Sequence, residues 1–177
     1  MRIRTETRQD YEQIDRLLQT HRMPDSNAGC VAGASMEGIR QSGQYIPGLA
    51  FVAEQCGQIV GYAAFTRVYL TQPNVGRFHV LMLSKLCVAR EHRGKGIASR
   101  LVNKGFAKGI QKLFTAVFTC GDPKLFLQYG FQPIAHWKMT SDGSVPHKYL
   151  LGCELMPYSL RKGGFLELVP VCAAQDG

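Results

Sequence analysis

The sequence predicts an α/β domain in which a mixed, mostly antiparallel sheet is flanked by helices. Three observations predict it. Two segments, Gln58–Phe65 and Phe78–Val88, are rich in valine, isoleucine, leucine and aromatic residues, as buried strands are. From Gly96 to about Gln111, Ile97, Leu101, Val102, Phe106 and Ile110 recur at helical spacing. Further strand-like stretches lie on both sides of that helix. With 177 residues the chain suits one domain. We read 1–177 as a single unit, with a core to about residue 155 and a C-terminal extension over 156–177.

Taken in order, Arg2–Thr5 reads as a short strand, and Asp10 as the N-cap of a helix running to about His21 with Ile14, Leu17 and Leu18 on one face. Pro24 to Ser26 breaks that helix, and Ala32–Gln41 is expected to form a second one, stopped by Gly43. Leu49–Glu54 and Gln58–Phe65 flank the Cys56-Gly57 turn and form an antiparallel hairpin, whose second strand is free to continue to Leu70. A loop at Thr71–Gly76 precedes Phe78–Val88, the expected central strand. After the long helix come a strand at Phe114–Thr119, then helical turns at Pro123–Gln128 capped by Asp122 and ended by Gly130. Phe131–Ile134 and Tyr149–Leu155 complete the strands, separated by a polar loop at Thr140–His147.

Composition excludes several classes. A hydrophobic share of 45% and a charged share of 19% belong to globular proteins. No apolar run is long enough to span a bilayer. The N-terminus has no apolar stretch or small-residue cleavage site, so a cytoplasmic location is expected. The six cysteines show no metal-site spacing and read as reduced, mostly buried residues; no metal is expected. A net charge of +8 points to an anionic ligand. Nucleic acid is disfavoured, because the chain lacks a basic run interleaved with aromatics and its basic residues gather instead between Lys85 and Lys112.

That gathering surrounds one loop. A buried strand ends near Val88 and a helix begins near Gly96, so unpaired amides and the positive end of the helix dipole converge on the turn between them, a setting that binds phosphate. Gly94 and Gly96 let backbone approach an anion, while Arg93 and Lys95 add charge. A Walker-type loop is disfavoured, because Lys95 is followed by Gly96 rather than Ser or Thr. A dinucleotide fingerprint is disfavoured too, because it needs a third glycine early in the chain.

Arg93, Gly96 and Ala98 fill a pattern of Arg or Gln, two residues, Gly, one residue, then Gly or Ala. It resembles the acetyl-CoA loop of the GCN5-related N-acetyltransferase (GNAT) superfamily. The segment Gly121-Asp122-Pro123-Lys124-Leu125-Phe126-Leu127-Gln128-Tyr129-Gly130-Phe131 resembles that family's helix ending in Gly-Phe, and in particular a branch of small bacterial N-acetyltransferases. The resemblance covers Arg2 to Leu155 in order and spacing, and is closest from Leu86 to Phe131. It implies a sheet splayed at its middle strands and transfer of acetyl from acetyl-CoA directly to a primary amine of a small molecule or peptide.

By the same resemblance, the cofactor is held by Leu86, Cys87 and Val88 along its pantetheine arm, and by Arg93, Gly94, Lys95, Gly96, Ile97, Ala98 and Ser99 at its pyrophosphate. Asp122 and Phe126 flank the thiol arm. The Val88 amide faces the thioester oxygen. Phe126 stands where many relatives carry a proton-donating tyrosine. Tyr129 is a weak substitute on what reads as a neighbouring helical face. Glu54, His79 and His136 are candidate general bases. His92 reads as an ordinary turn histidine, and Arg100, Lys104 and Lys108 as a solvated helix face. Two rival functions remain: an acyl-CoA-binding sensor with little catalysis, and a basic RNA-associated protein. The oligomeric state is open, a homodimer included.

Overall fold

A computed structural model describes residues 1–20 and 35–168. The strands are β1 (Arg2–Thr5), β2 (Tyr45–Gln55), β3 (Gln58–Gln72), β4 (Gly76–Val88), β5 (Ala116–Cys120), β6 (Gln132–Pro133), β7 (Thr140–Ser141), β8 (Leu150–Glu154) and β9 (Phe165–Glu167). The helices are α1 (Tyr11–Thr20), α2 (Met36–Gln41), α3 (Ile97–Gln111) and α4 (Pro123–Phe126). One sheet runs in the order β1-β2-β3-β4-β5-β8-β6, and β9 pairs with both β3 and β7. Pairing is antiparallel except for β4 with β5 and β7 with β9. The expected mixed, mostly antiparallel sheet is present. The expected break at Pro24–Ser26 and helix start at Ala32 lie outside the described residues.

Two features of the sheet make room for a site. Ala64 pairs with Lys85 and Phe65 with Leu83, so Ser84 is an extra residue in β4, a bulge that bends the strand. Its hydroxyl contacts that of Thr66 and also donates to the Met82 carbonyl. β4 meets β5 only at Leu81–Leu83, opposite Val117–Thr119, and the Thr119 hydroxyl donates to the Leu83 carbonyl at 3.2 Å. Beyond that point β4 keeps β3 on one edge and has no β5 residue on the other.

Helix α3 covers one face of the sheet at unusually short range. A Cβ on Gly105 would lie 2.1 Å from Phe65 Cε2, one on Gly109 2.9 Å from Leu81 Cδ1, and one on Gly61 2.9 Å from Ile97 Cγ2. Glycines on both partners set this separation. Phe65 is itself held edge-on by Phe51 and Phe106. On the opposite face α1 and α2 pack over Val52, Tyr62 and Ala64. There the buried Glu6 carboxylate accepts from Arg40 and from the Tyr45 and Tyr62 hydroxyls, tying β1, α2, β2 and β3 together.

Several expectations change. The first helical turn begins at Arg8, not after Asp10. Asp10 lies inside that turn, where its carboxylate accepts from the Thr7 amide and hydroxyl and from Arg4. The strand expected at Phe131–Ile134 shrinks to Gln132–Pro133, because Ile134–Trp137 turns into a 3-10 helix. The polar loop at Thr140–His147 contains β7. The segment beyond Leu155 supplies β9, and Leu160, Leu166 and Leu168 enter a hydrophobic cluster with Val68, Val80 and Phe118. Cys120 is disulfide-bonded rather than reduced. No helix among the described residues is long and apolar enough to cross a membrane.

Two stability predictions follow from these contacts. Gly105→Ala forces a methyl into the buried Phe65 ring and should cost about 1–3 kcal/mol in denaturant unfolding. The Arg4 guanidinium holds the Asp10 carboxyl well below the usual carboxylate range. Its contribution is therefore complete above the unfolded value and declines as the group protonates. The stability gap between wild type and Asp10→Asn should persist at neutral pH and narrow below about pH 4.

Candidate active site

The site forms where β4 leaves β5. In antiparallel pairing, successive residues turn their backbone groups to opposite edges. The Ala89 amide donates to Val60 on β3. That alternation turns the amides of Leu86 and Val88 toward the other edge, where β5 is absent. A short 3-10 turn, Arg90–His92, carries the chain onward. Arg93 then folds back, its Nε donating to the Val88 carbonyl at 2.9 Å.

Gly94 and Gly96 both adopt left-handed backbone, with φ of +74° and +72°. Open space surrounds each: a Cβ there would meet no atom within 4 Å. Gly96 is the N-cap of α3 and offers no side chain to its first turn. Ordinary helices satisfy those amides with Ser, Thr, Asp or Asn. Here the amides of the first turn face the cleft uncapped, a good seat for an anion.

The opposite wall is α4 and the turn after it. Asp122 caps α4, its carboxylate accepting from the Lys124 amide at 3.0 Å, and Pro123 starts the helix. Gly121 brings the chain close to the Phe126 ring, which a Cβ there would meet at 2.5 Å. Gly130, at φ +88°, ends the turn. Between the walls lies a cleft of about 600 Å³.

Eleven of the twelve expected cofactor residues line it: Leu86, Cys87, Val88, Arg93, Gly94, Gly96, Ile97, Ala98, Ser99, Asp122 and Phe126. Lys95 is not among the lining residues; its ammonium donates to the Glu91 carbonyl. Tyr129 lines the cleft beside Phe126, the two rings edge-on at 6.4 Å. Three residues apart, they share a helical face, which corrects the expectation of neighbouring faces.

The candidate bases lie elsewhere. Glu54, at the end of β2, accepts from Arg4 Nε at 2.8 Å and does not reach the cleft wall. His79 stacks on Tyr69 near the start of β4, nine residues and about 30 Å of strand from Val88. His136 packs edge-on against Trp137 and is also absent from the wall. His92 and Gln128 do line the cleft and were missed. Gln128 was findable, since positions 122, 125 and 128 recur at helical spacing through a segment already read as helical. His92 left no such signal; its Nδ1 is buried without a hydrogen-bond partner.

A family model described as an acetyltransferase (GNAT) domain matches residues 47–133. The uncharacterized N-acetyltransferase YhbS of Escherichia coli K12 is 32% identical over 136 residues, which are 77% of this chain and 76% of YhbS. The chain belongs to the GNAT acetyltransferase family. The crystal structure of E. coli YhbS in complex with CoA superposes with a TM-score of 0.78 at 26% identity, over 95% of this chain and 89% of that one. A GNAT acetyltransferase from Brucella melitensis, in complex with acetyl-CoA, shares the fold with a TM-score of 0.68 at 20% identity, over 88% of each chain.

Within this GNAT cleft, burial pushes the Cys87 thiol up to about 11, an effect the nearby Arg93 charge only partly offsets. Cys87 is therefore protonated at neutral pH and a poor nucleophile. On the native protein at pH 8, iodoacetamide should label the exposed Cys56 while Cys87 reacts on the order of a hundredfold more slowly, read by peptide mass spectrometry. Rapid labelling of Cys87 would contradict this account of the wall.

Proposed function

We propose that this GNAT protein is an acetyl-CoA-dependent N-acetyltransferase that passes acetyl directly to a primary amine of a small molecule or peptide. The observation that carries the reading is the pairing of an unoccupied strand edge, Leu86–Val88, with the uncapped helix start at Gly96–Ser99. The first suits the amides of a pantetheine arm, and the second suits a pyrophosphate. The CoA and acetyl-CoA in the two similar crystal structures support it.

Acetyl-CoA supplies an activated acetyl thioester. The Val88 amide, aimed at the open edge, donates to the carbonyl oxygen as negative charge develops there during attack by the amine nitrogen. Arg93 anchors the next peptide unit by donating to the Val88 carbonyl. The C–N bond forms as the C–S bond breaks, so CoA leaves as the thiol and the nitrogen loses a proton. With Cys87 protonated, the side chains favour direct transfer over an acyl-enzyme. Phe126 cannot protonate the departing sulfur, and general acid help is worth only about 10²–10⁴-fold.

Calorimetric titration with acetyl-CoA, using ATP and NAD as controls, tests the cofactor. Thiol release over a panel of amines tests the reaction. Wild type should bind acetyl-CoA selectively. Gly96→Glu sets a carboxylate against the pyrophosphate in a left-handed backbone, and should weaken binding by about 2 kcal/mol or more, a factor of about 30. Unchanged affinity in that variant would overturn the assignment of the loop.

A further inference from the structure

One buried polar atom without a hydrogen-bond partner lies in the wall of the cleft. His92 ends the 3-10 turn between β4 and α3 and lines the cleft, while its Nδ1 is shut away from solvent and bonded to nothing. Buried polar atoms are nearly always paired, so an unpaired one marks a residue present for another reason.

The backbone at His92 is firmly held. Its amide donates to the Ala89 carbonyl at 2.9 Å, and the next residue, Arg93, donates through Nε to the Val88 carbonyl. The ring therefore stands beside Gly94 and Gly96, the left-handed glycines that line the same cleft. The Lys95 ammonium and Arg93 Nε both donate to backbone carbonyls of the protein, and Gly96 caps α3 without a side chain. His92 brings a further donor to this loop. With Nδ1 closed off, a ligand meets the polar edge of the ring only at Nε2. A neutral imidazole carries its one proton on either nitrogen. No described residue bonds Nδ1 to favour one form, so the group in the cleft decides. A phosphate oxygen only accepts, and it selects the form with the proton on Nε2.

We propose that His92 is a cofactor-binding residue whose Nε2–H donates to a pyrophosphate oxygen of acetyl-CoA, beside the amides of the loop at 94–99. The proposal rests on the acetyl-CoA reading above. It gives His92 a part in holding the phosphates and excludes it from taking the proton of the acceptor amine. With the proton on Nε2, the lone pair of the ring lies on the enclosed Nδ1, where no amine reaches it. The unpaired nitrogen is then the consequence of placing a donor on the far side of the same ring.

Calorimetric titration of full-length variants, with CoA and 3′-dephospho-CoA as probes, tests this. His92→Phe keeps a ring but no donor, and should weaken CoA binding about tenfold, a modest figure for a hydrogen bond to a charged group. His92→Gln, whose amide N–H reaches the place of Nε2, should recover most of that loss. His92→Asn, whose amide reaches only the place of Nδ1, should not. The loss in His92→Phe should be the same with 3′-dephospho-CoA, because both probes carry the pyrophosphate. Affinity untouched by His92→Phe, equal affinity in the Gln and Asn variants, or a loss that vanishes with 3′-dephospho-CoA would overturn the proposal. If His92→Phe fails to fold, the Gln and Asn variants still decide by the same comparison. Failure of wild type to bind CoA would instead overturn the cofactor reading, so the two failures are distinct.

Discussion

The parting of β4 from β5 after three residue pairs is the constraint on which the site depends. A continuous ladder would have spent the Leu86 and Val88 amides on a neighbouring strand and left nothing to bind an extended ligand. The parting has identifiable causes. An extra residue at Ser84 bends β4, Thr119 closes the ladder at Leu83, and Gly121 sends the chain off into α4. The hydroxyls of Thr66, Ser84 and Thr119 are all buried and all engaged at this fork. Buried hydroxyls are tolerated only when partnered, so their presence marks the fork as a built feature of the sheet.

The second constraint is the depth at which α3 lies. Gly61, Gly105 and Gly109 remove the side chains that would otherwise hold helix and sheet apart. The axis of α3 is thereby drawn in toward the sheet, and its first turn ends up beside the last residues of β4. A helix riding higher would carry its uncapped amides away from the strand edge. The pantetheine-like edge and the anion seat form one cleft because small residues were placed along their shared interface.

Much of this was legible in the chain, and the reason is locality. Strand β4, helix α3 and the loop between them occupy one continuous stretch, so hydrophobic period and loop chemistry report them directly. The Asp122-Pro123 start and Gly130 stop of the opposite wall were readable for the same reason. The ion pair of Glu54 was not legible, because its partner, Arg4, is fifty residues away and only strand pairing brings the two together. The position of the Lys95 ammonium was not legible, because the turn at Arg90–His92 is what offers it a carbonyl. Strand β9 escaped notice because it has three residues, follows two glycines, and takes its form from β3 and β7 rather than from its own pattern.

That short strand has a further effect on how the molecule behaves among its own copies. β3 is fifteen residues long, and β2 accompanies it only as far as Thr66. From Tyr69 to Thr71 the same edge is taken by β9. An open edge of this kind is a template for strand addition between molecules. By covering it with residues nearly a hundred positions downstream, the chain removes that one template, and it can do so only once β9 has been made.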